Sequence, residues 1–578
     1  MKVKDHKLNA LFMILILIIT YVAFSHTLGY GFVEWDENAF ITENPDILGF
    51  SWEKIGEIFT SSNAGLYSPL VVLSFSIENN IFGMKAGVFR TTNLILHLLN
   101  CFLLFWLILK ISDNNTIISF IVTVLFGIHP LHIESVVWIV ERKDVLSTFF
   151  YLGSIILFIY FRKMKSKRVF YYFSIVFFLL ALLSKVMAIS LPFVLILMDH
   201  IFFTKDLKKC LITQIPYVFI SVLFFITSMI VITSGDLSTG SDKLEIFQRI
   251  VLVLYLFIFY IYKLFIPLNL SARYPIEINE LLPTPIWTLL LIPILFFLLL
   301  LFFYKDKKNV TFGILFFLIT LLPITPLIFL GFPYGDRYSY IPSIGIFYIF
   351  GAVINYLLQK KTRLFIIKKV CVAVGIAAII LFLTLQTRKH SKIWENNFTL
   401  WNNVIKTNPT NAIGYNNRGV EYLKNGYQRE AMMDFRKALE RNPNHVKTHN
   451  NIGIIFLETK DYQKAIYFFT IAVKLNPNYP DAYFNRGCAW GNLKNFEEAI
   501  NDFSTAIKIN PKFIKAYYYR AITYERLKMF EKAKHDFQKL YKLDPNFPLK
   551  KTFEYKNGKL GKTGSVFLRW DVQDEEFP

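Results

Sequence analysis

The sequence predicts an all-α protein in two parts, a polytopic helical membrane domain followed by a solenoid of paired helices. Three observations carry this expectation. Apolar runs long enough to cross a bilayer recur through the first two thirds of the 578 residues, an Asn-Pro or Asp-Pro pair recurs every 34 residues in the last third, and the composition changes near Gln386. With 54% hydrophobic and only 18% charged residues, the chain has too little polar surface for a single soluble domain. Residues 1–387 carry 31 basic and 22 acidic side chains (+9) and residues 388–578 carry 32 and 20 (+12), so the apolar excess belongs to the first part. The expected domains are a membrane domain at 1–387, a capping helix and connector at 388–411, four repeats at 412–547 and a tail at 548–578.

Cys101, Cys210, Cys371 and Cys488 lie far apart, which leaves no CxxC metal or redox pair and argues against a disulfide framework. The apolar stretch 8–24 follows Lys2, Lys4 and Lys7 in the manner of a signal peptide. No small-residue cleavage site follows it, so it reads as a retained first span.

About 20 apolar residues cross about 30 Å of hydrocarbon at 1.5 Å per residue. By that measure spans fall at 8–28, 88–109, 116–131, 145–161, 169–184, 186–203, 211–233, 286–303, 310–329, 338–357 and 366–386, about eleven in all. Basic loops at 2–7, 162–168, 205–209, 305–308 and 360–369 mark the cytoplasmic side. Between 209 and 305 the chain must then cross an even number of times. The additional apolar segment 249–267, which holds Lys263 and ends at Pro267, is therefore expected to be re-entrant or interfacial. Eleven crossings from a cytoplasmic start put everything after Gln386 outside.

The outer face is chemically different. Residues 29–87 hold Glu34, Asp36, Glu37, Glu43, Asp46, Glu53, Glu57 and Glu78 against only Lys54 and Lys85, and their aromatic content predicts a loop folded at the membrane surface. His129-Pro130-Leu131-His132, Glu141-Arg142-Lys143-Asp144, Lys185, Arg273 and Asp336-Arg337-Tyr338 fall on the same side. A carboxylate base such as Asp36 could take a proton from an acceptor hydroxyl there while Arg or Lys neutralises a phosphate leaving group. The alternative is that Asp36 and Glu37 are loop residues and that Arg142, Lys143 and Asp144 form a surface ion pair.

Asn408-Pro409, Asn442-Pro443, Asn476-Pro477, Asn510-Pro511 and Asp544-Pro545 recur at intervals of 34. In the same frame lie Gly419, Gly453, Gly487 and Ala521; Ala431, Ala465, Ala499 and Ala533; and Phe435, Phe469, Phe503 and Phe537. This is the tetratricopeptide pattern, with repeats at 412–445, 446–479, 480–513 and 514–547 and a helix at 394–407 as the cap. Such stacks bind extended peptides on the concave face. Asn417, Asn451 and Asn485 share one place in the repeat, where an amide suits a peptide backbone; the alternative is that they satisfy inter-repeat groups. The +12 charge fits a solvated face or nearby anionic lipid, and no nucleic-acid partner is expected.

The runs Glu34-Trp35-Asp36-Glu37, Tyr67-Ser68-Pro69-Leu70, His129-Pro130-Leu131-His132-Ile133-Glu134, Arg142-Lys143-Asp144, Ser184-Lys185 and Asp336-Arg337-Tyr338, followed by the repeats, resemble the transmembrane and tetratricopeptide-repeat O-mannosyltransferase family. That resemblance implies a GT-C-like membrane glycosyltransferase domain that takes a sugar, mannose by analogy, from a polyprenyl-phosphate carrier to hydroxyls of protein acceptors held by the repeats. It implies Asp36 and Glu37 as the catalytic pair, Asp36 as base and Glu37 positioning the acceptor or a metal. Arg337 first, then Arg142 and Lys185, with His129 and His132, are the expected donor-phosphate contacts, and Asn417, Asn451 and Asn485 the acceptor contacts. A divalent cation is an open requirement. The family commonly has two aspartates where this chain has Asp36-Glu37, and often an Arg where it has Ser68.

Two other functions fit the residues alone. A glycan polymerase or ligase would use similar outer-face charges with less need of a peptide-binding solenoid, and an assembly scaffold would use the membrane part as an anchor, although one span suffices for that. The expected location is a bacterial inner membrane with periplasmic repeats, or the endoplasmic-reticulum membrane with luminal repeats.

Overall fold

In hydrocarbon no water is present to satisfy the backbone, so apolar runs must close their own hydrogen bonds as helices. The computed structural model describes residues 2–60, 66–164, 167–204, 206–234, 245–274, 307–325, 335–360, 365–544, 547, 553–556 and 559–562. The chain forms two compact units, Met1–Pro409 and Thr410–Pro578.

In the first unit α1 (Lys2–Phe24) leads into the acidic loop, whose described residues are folded as expected: short turns at Asn38–Thr42 and Pro45–Ile47, then α2 (Trp52–Thr60) and α3 (Pro69–Phe82). The helices α4 (Ala86–Ile111), α5 (Thr116–Ile128), α6 (Ile133–Val137), α7 (Arg142–Lys163), α8 (Val169–Ser184), α9 (Leu191–Met198), α10 (Leu207–Ser234) and α11 (Ile246–Phe265) follow. After them come α12 (Lys307–Leu321), α13 (Ser343–Gln359), α14 (Phe365–His390) and α15 (Asn397–Thr407). Among the described residues eight helical segments are long and apolar enough to cross a membrane, or nine if the pair Thr116–Ile128 and Pro130–Val137, bent by 54°, counts as one. The expected spans at 169–184 and 338–357 are shorter apolar helices, Val169–Ser184 and Ser343–Gln359, and that at 286–303 lies outside the described residues.

Of the two forms expected for segment 249–267, re-entrant and interfacial, the helix speaks against the first. The segment is one uninterrupted helix of 20 residues, α11, with no turn at which a re-entrant loop could reverse. Lys263 stays within it because its ammonium donates to the carbonyls of Leu268 (2.7 Å) and Asn269 (3.3 Å) just beyond the helix end.

α1 and α14 run parallel. The Arg388 guanidinium donates to the Val22 carbonyl at 2.5 Å, His26 Nε2 lies 2.7 Å from Ser391 Oγ, and the Thr387 hydroxyl donates to the Ile128 carbonyl at 2.6 Å. The carboxyl ends of α1, α5 and α14 therefore meet at one face, and the acidic loop and the chain after Gln386 emerge together. α15 falls within this first unit, Met1–Pro409.

The second unit consists of four helix pairs: Ala412–Lys424 with Gln428–Arg441, Val446–Glu458 with Tyr462–Leu475, Pro480–Asn492 with Phe496–Ile509, and Ile514–Arg526 with Phe530–Leu543. A Cβ at Gly419, Gly453 or Gly487 would lie 2.6, 2.5 or 2.8 Å from the ring of Phe435, Phe469 or Phe503, so the small residue lets the aromatic close each pair. Asn442, Asn476 and Asn510 accept the N–H two residues on, each at 3.0 Å, which shapes the turn before the next pair. Arg418, Arg486 and Arg520 grip Asp434, Asp502 and Asp536 with two hydrogen bonds each. Ile452 and Phe468 take those places in the second repeat. In the tail, Phe553–Lys556 pairs antiparallel with Lys559–Lys562.

Candidate active site

Asp36 lies in the turn that opens the Asn38–Thr42 segment, its carbonyl accepting the Phe40 N–H at 3.1 Å. Its carboxyl group is half-buried. Burial raises its pKa above the usual carboxylate range and Glu141 adds to the rise, while Lys143 and Arg337 pull it down. These neighbours come from α7 and from the turn before α13, so the loop carboxylate faces charges from distant parts of the chain.

Glu37 has a different environment. It is fully buried, and its Oε2 accepts the Val33 N–H at 2.6 Å. Burial pushes this carboxyl up to about 7, against the pull of Arg90. With no exposed surface, Glu37 braces the turn that carries Asp36. Arg90 braces the same turn by donating to the Gly31 carbonyl at 2.6 Å and to the carbonyls of Val137 and Trp394.

Opposite Asp36 is a compact charge cluster. The Glu141 carboxylate receives Lys185 Nζ at 3.2 Å, Lys143 Nζ at 3.4 Å and Arg337 Nε at 3.4 Å. Lys185 also contacts Asp144 at 2.6 Å, and the Arg337 side chain pairs with Glu134, whose Oε2 accepts the Arg337 N–H at 3.0 Å. The Arg337 and Lys185 side chains are 20% and 13% exposed whereas those of Glu134 and Glu141 are 3%. The two cations are therefore the more exposed members of the cluster. The Tyr338 ring lies 4.6 Å from the Arg337 guanidinium and 5.4 Å from Lys185 Nζ, which restricts both. Arg337 and Lys185 each sit between two carboxylates, Glu134 and Glu141 for Arg337 and Glu141 and Asp144 for Lys185.

The other expected donor contacts are elsewhere. Arg142 is wholly buried: its Nε donates to Asn93 Oδ1 (2.9 Å), its terminal nitrogens to Ser74 Oγ (3.0 Å) and the Phe89 carbonyl (2.9 Å), and it pairs with Glu78 at 2.8 Å. It staples α3 and α4 to α7 and has no face for a headgroup. His129 and His132 are also core residues. His129 Nε2 meets the Leu264 carbonyl at 3.0 Å, and His132 spans the Phe126 carbonyl (2.7 Å) and Ser343 Oγ (3.1 Å). Among the described residues no group of three or more His, Cys, Asp and Glu is placed to hold a metal ion.

Four tryptophans flank the acidic turn. Trp35 stacks on Trp401 (5.2 Å between ring centroids), Trp138 stacks on Trp394 (5.3 Å), and Trp35 contacts Trp138 and Trp394 at 6.0 and 6.4 Å. The Glu34 N–H donates to Asn397 Oδ1 at 2.7 Å. Sequence reasoning missed the role of Glu134, Trp138 and Glu141 here. The chain turns at Trp138, between α6 and the short helix Ile139–Glu141, so no single periodicity marked the three as neighbours.

In the repeats, Asn451 Nδ2 donates to Asn416 Oδ1 (3.1 Å) and Asn485 Nδ2 to Asn450 Oδ1 (3.0 Å), while Asn417 Oδ1 accepts from Asn416 (2.9 Å). The ladder thus joins consecutive repeats through amide-to-amide bonds, so these side chains are not free for a peptide on every edge.

Tetratricopeptide repeat models match residues 412–445, 446–479, 480–513 and 514–547. A protein O-mannosyl-transferase of Caenorhabditis elegans is 25% identical over 458 residues, covering 75% of this chain and 62% of its own length. Protein O-mannosyl-transferase TMTC3 of Homo sapiens is 22% identical over 400 residues, covering 61% and 42%. The curated relatives are protein O-mannosyl-transferases. The likeness runs over much of the chain, and the chain spans less than two thirds of their length. The crystal structure of MamA is 24% identical, with 25% of this chain and 85% of MamA covered and a TM-score of 0.24.

Proposed function

We propose that the protein is a membrane O-mannosyltransferase that moves mannose from a polyprenyl-phosphate carrier to hydroxyl groups of protein acceptors, and that the repeats bind the acceptor. The observation that carries this reading is the half-buried Asp36 carboxylate within the field of Arg337 and Lys143, with Lys185 joined to the same cluster through Glu141. Asp36 takes the proton of the acceptor hydroxyl as that oxygen bonds to the anomeric carbon. The bond from that carbon to the phosphate oxygen breaks, and its electron pair leaves with the polyprenyl phosphate. Arg337 and Lys185 meet the growing negative charge. A single displacement of this kind inverts the anomeric centre.

Glu134, Glu141 and Asp144 hold the cations, Glu37 and Arg90 hold the turn of Asp36, and no step is routed through a metal. In this reading the site faces the periplasm, or the lumen of the endoplasmic reticulum. The test is to incubate the full chain, in vesicles, with polyprenyl-phosphate mannose and a Ser/Thr-containing protein. Mannose on the protein supports the proposal, and mannose only in polysaccharide, or no turnover of the donor, contradicts it.

A further inference from the structure

An apolar groove of about 580 Å³ runs between α1 and α14, with Leu15 and Val22 on one wall, Ala373, Ala377 and Thr384 on the other and Phe120 of α5 among its lining. From Ala373 to Thr384 its wall rises about 16 Å at 1.5 Å per residue. That is about half of the ~30 Å hydrocarbon core, the depth of one leaflet. The helix face that carries Ala377, Leu381 and Thr384 continues to Arg388, whose guanidinium donates to the carbonyl of the groove residue Val22 at 2.5 Å. The groove thus ends beneath a cation.

Arg388 is not alone. Arg388, Lys389, His390 and Lys392 fall within five residues, Lys389 and Lys392 are exposed, and Glu395 is the nearest acidic residue along the chain. This end of α14 lies with the carboxyl end of α1, on the side of the acidic loop. The charge bias of membrane spans concentrates such clusters at the opposite, cytoplasmic end, so topology does not account for it. Nor does the transfer site, whose Arg337 and Lys185 line no part of the groove.

We propose that the groove and this basic cluster bind one anionic glycerophospholipid of the leaflet on the acidic-loop side. An acyl chain lies between α1 and α14, and the phosphate lies among Arg388, Lys389 and Lys392. The charge selects the headgroup, and the length of the groove selects a chain of single-leaflet depth.

The test uses the purified full chain reconstituted in phosphatidylcholine vesicles that contain acyl-chain spin-labelled phosphatidylglycerol or spin-labelled phosphatidylcholine, and reads the immobilised fraction of each. The expected result is preferential immobilisation of phosphatidylglycerol. Ala377→Trp, which fills the groove, should abolish the preference. Lys389→Glu with Lys392→Glu should lower it by about five-fold per lysine, without touching the Arg388 bond to Val22. Ile367→Trp, an exposed position outside the groove, should leave it unchanged. Equal immobilisation of the two lipids by the wild type, or a preference that survives both the Ala377 and the double-lysine variants, would overturn the proposal. Displacement of the labelled phosphatidylglycerol by equimolar polyprenyl phosphate would assign the groove to the donor lipid and would also overturn it.

Discussion

Trp35, the neighbour of Asp36, stacks on Trp401 of α15 with ring centroids 5.2 Å apart and planes within 18°. The side chain of Asn397, at the start of that helix, accepts the Glu34 N–H at 2.7 Å. The acidic turn is thus held from two directions, by Glu37 and Arg90 beneath it and by α15 across it. An aromatic pair contributes about 0.5–1.5 kcal/mol beyond area burial, enough to set the population of an ordered loop. Trp401→Ala should lower mannosyl transfer about ten-fold while the protein stays folded, and Trp401→Phe should restore most of it. The measurement is transfer rate per folded protein, with limited proteolysis of the outer loop in parallel.

Arg142 and Arg337 should separate stability from donor recognition. Arg142→Ala leaves Glu78 buried without its cation and should cost about 3–5 kcal/mol of stability, read as a lower unfolding midpoint in detergent. Arg337→Lys keeps the charge but loses the forked geometry shared between Glu134 and Glu141. It should raise the apparent KM for the lipid-linked donor and leave the unfolding midpoint near that of the wild type.

Glu37 gives a pH signature. Its folded pKa, about 7, is above the ordinary 4.5, so between those values the folded state keeps a proton that the unfolded state has lost. Its contribution to stability is fully present below about 4.5, declines as pH rises and is gone above about 7. Unfolding midpoints measured across this window should fall with pH in the wild type, and Glu37→Gln should flatten that part of the profile. A profile unchanged by the substitution would place the ionisation elsewhere.

How much of this was legible in the sequence depended on whether a residue's neighbours repeat. The 34-residue frame fixed the helix pairs because each pair packs on a copy of itself; the Arg418–Asp434 contact, absent only in the second repeat, was readable in the same frame. The acidic loop and the one-sided outer charges were visible as composition. What did not follow was which charge is the more exposed. Arg142 and Arg337 look alike in sequence, yet one is consumed by Glu78 and three neutral acceptors and the other is among the more exposed members of its cluster. His129 and His132 resembled site residues because a His beside Pro in an apolar run reads the same whether it meets a ligand or a backbone carbonyl. The break needed for a re-entrant 249–267 was inferred from charge parity, and the helix, with Lys263 capped by carbonyls just beyond its end, shows no such break.

The amide ladder joins consecutive repeats, and in the proposed function it also meets the acceptor. Since Asn451 and Asn485 donate to the preceding repeat, replacing Asn417, Asn451 and Asn485 together by Ala removes inter-repeat bonds as well as any peptide contacts. Each bond is worth about 1 kcal/mol net. The triple variant should lower the unfolding midpoint of the repeats and weaken protein glycosylation by tens-fold, while slow hydrolysis of the donor persists. Loss of hydrolysis in step with glycosylation would mean that the repeats support the membrane unit and do not select the acceptor.

In the proposed transfer Asp36 is the base. Asp36→Asn keeps the size and hydrogen-bonding capacity of the side chain and removes only the charge that accepts a proton, so the most direct measurement is single-turnover transfer of mannose from polyprenyl-phosphate mannose to a protein acceptor by wild type and Asp36→Asn at equal folded concentration. Transfer should fall by about 10² or more with donor binding and membrane insertion unchanged. Turnover within a few-fold of wild type in Asp36→Asn would contradict that role.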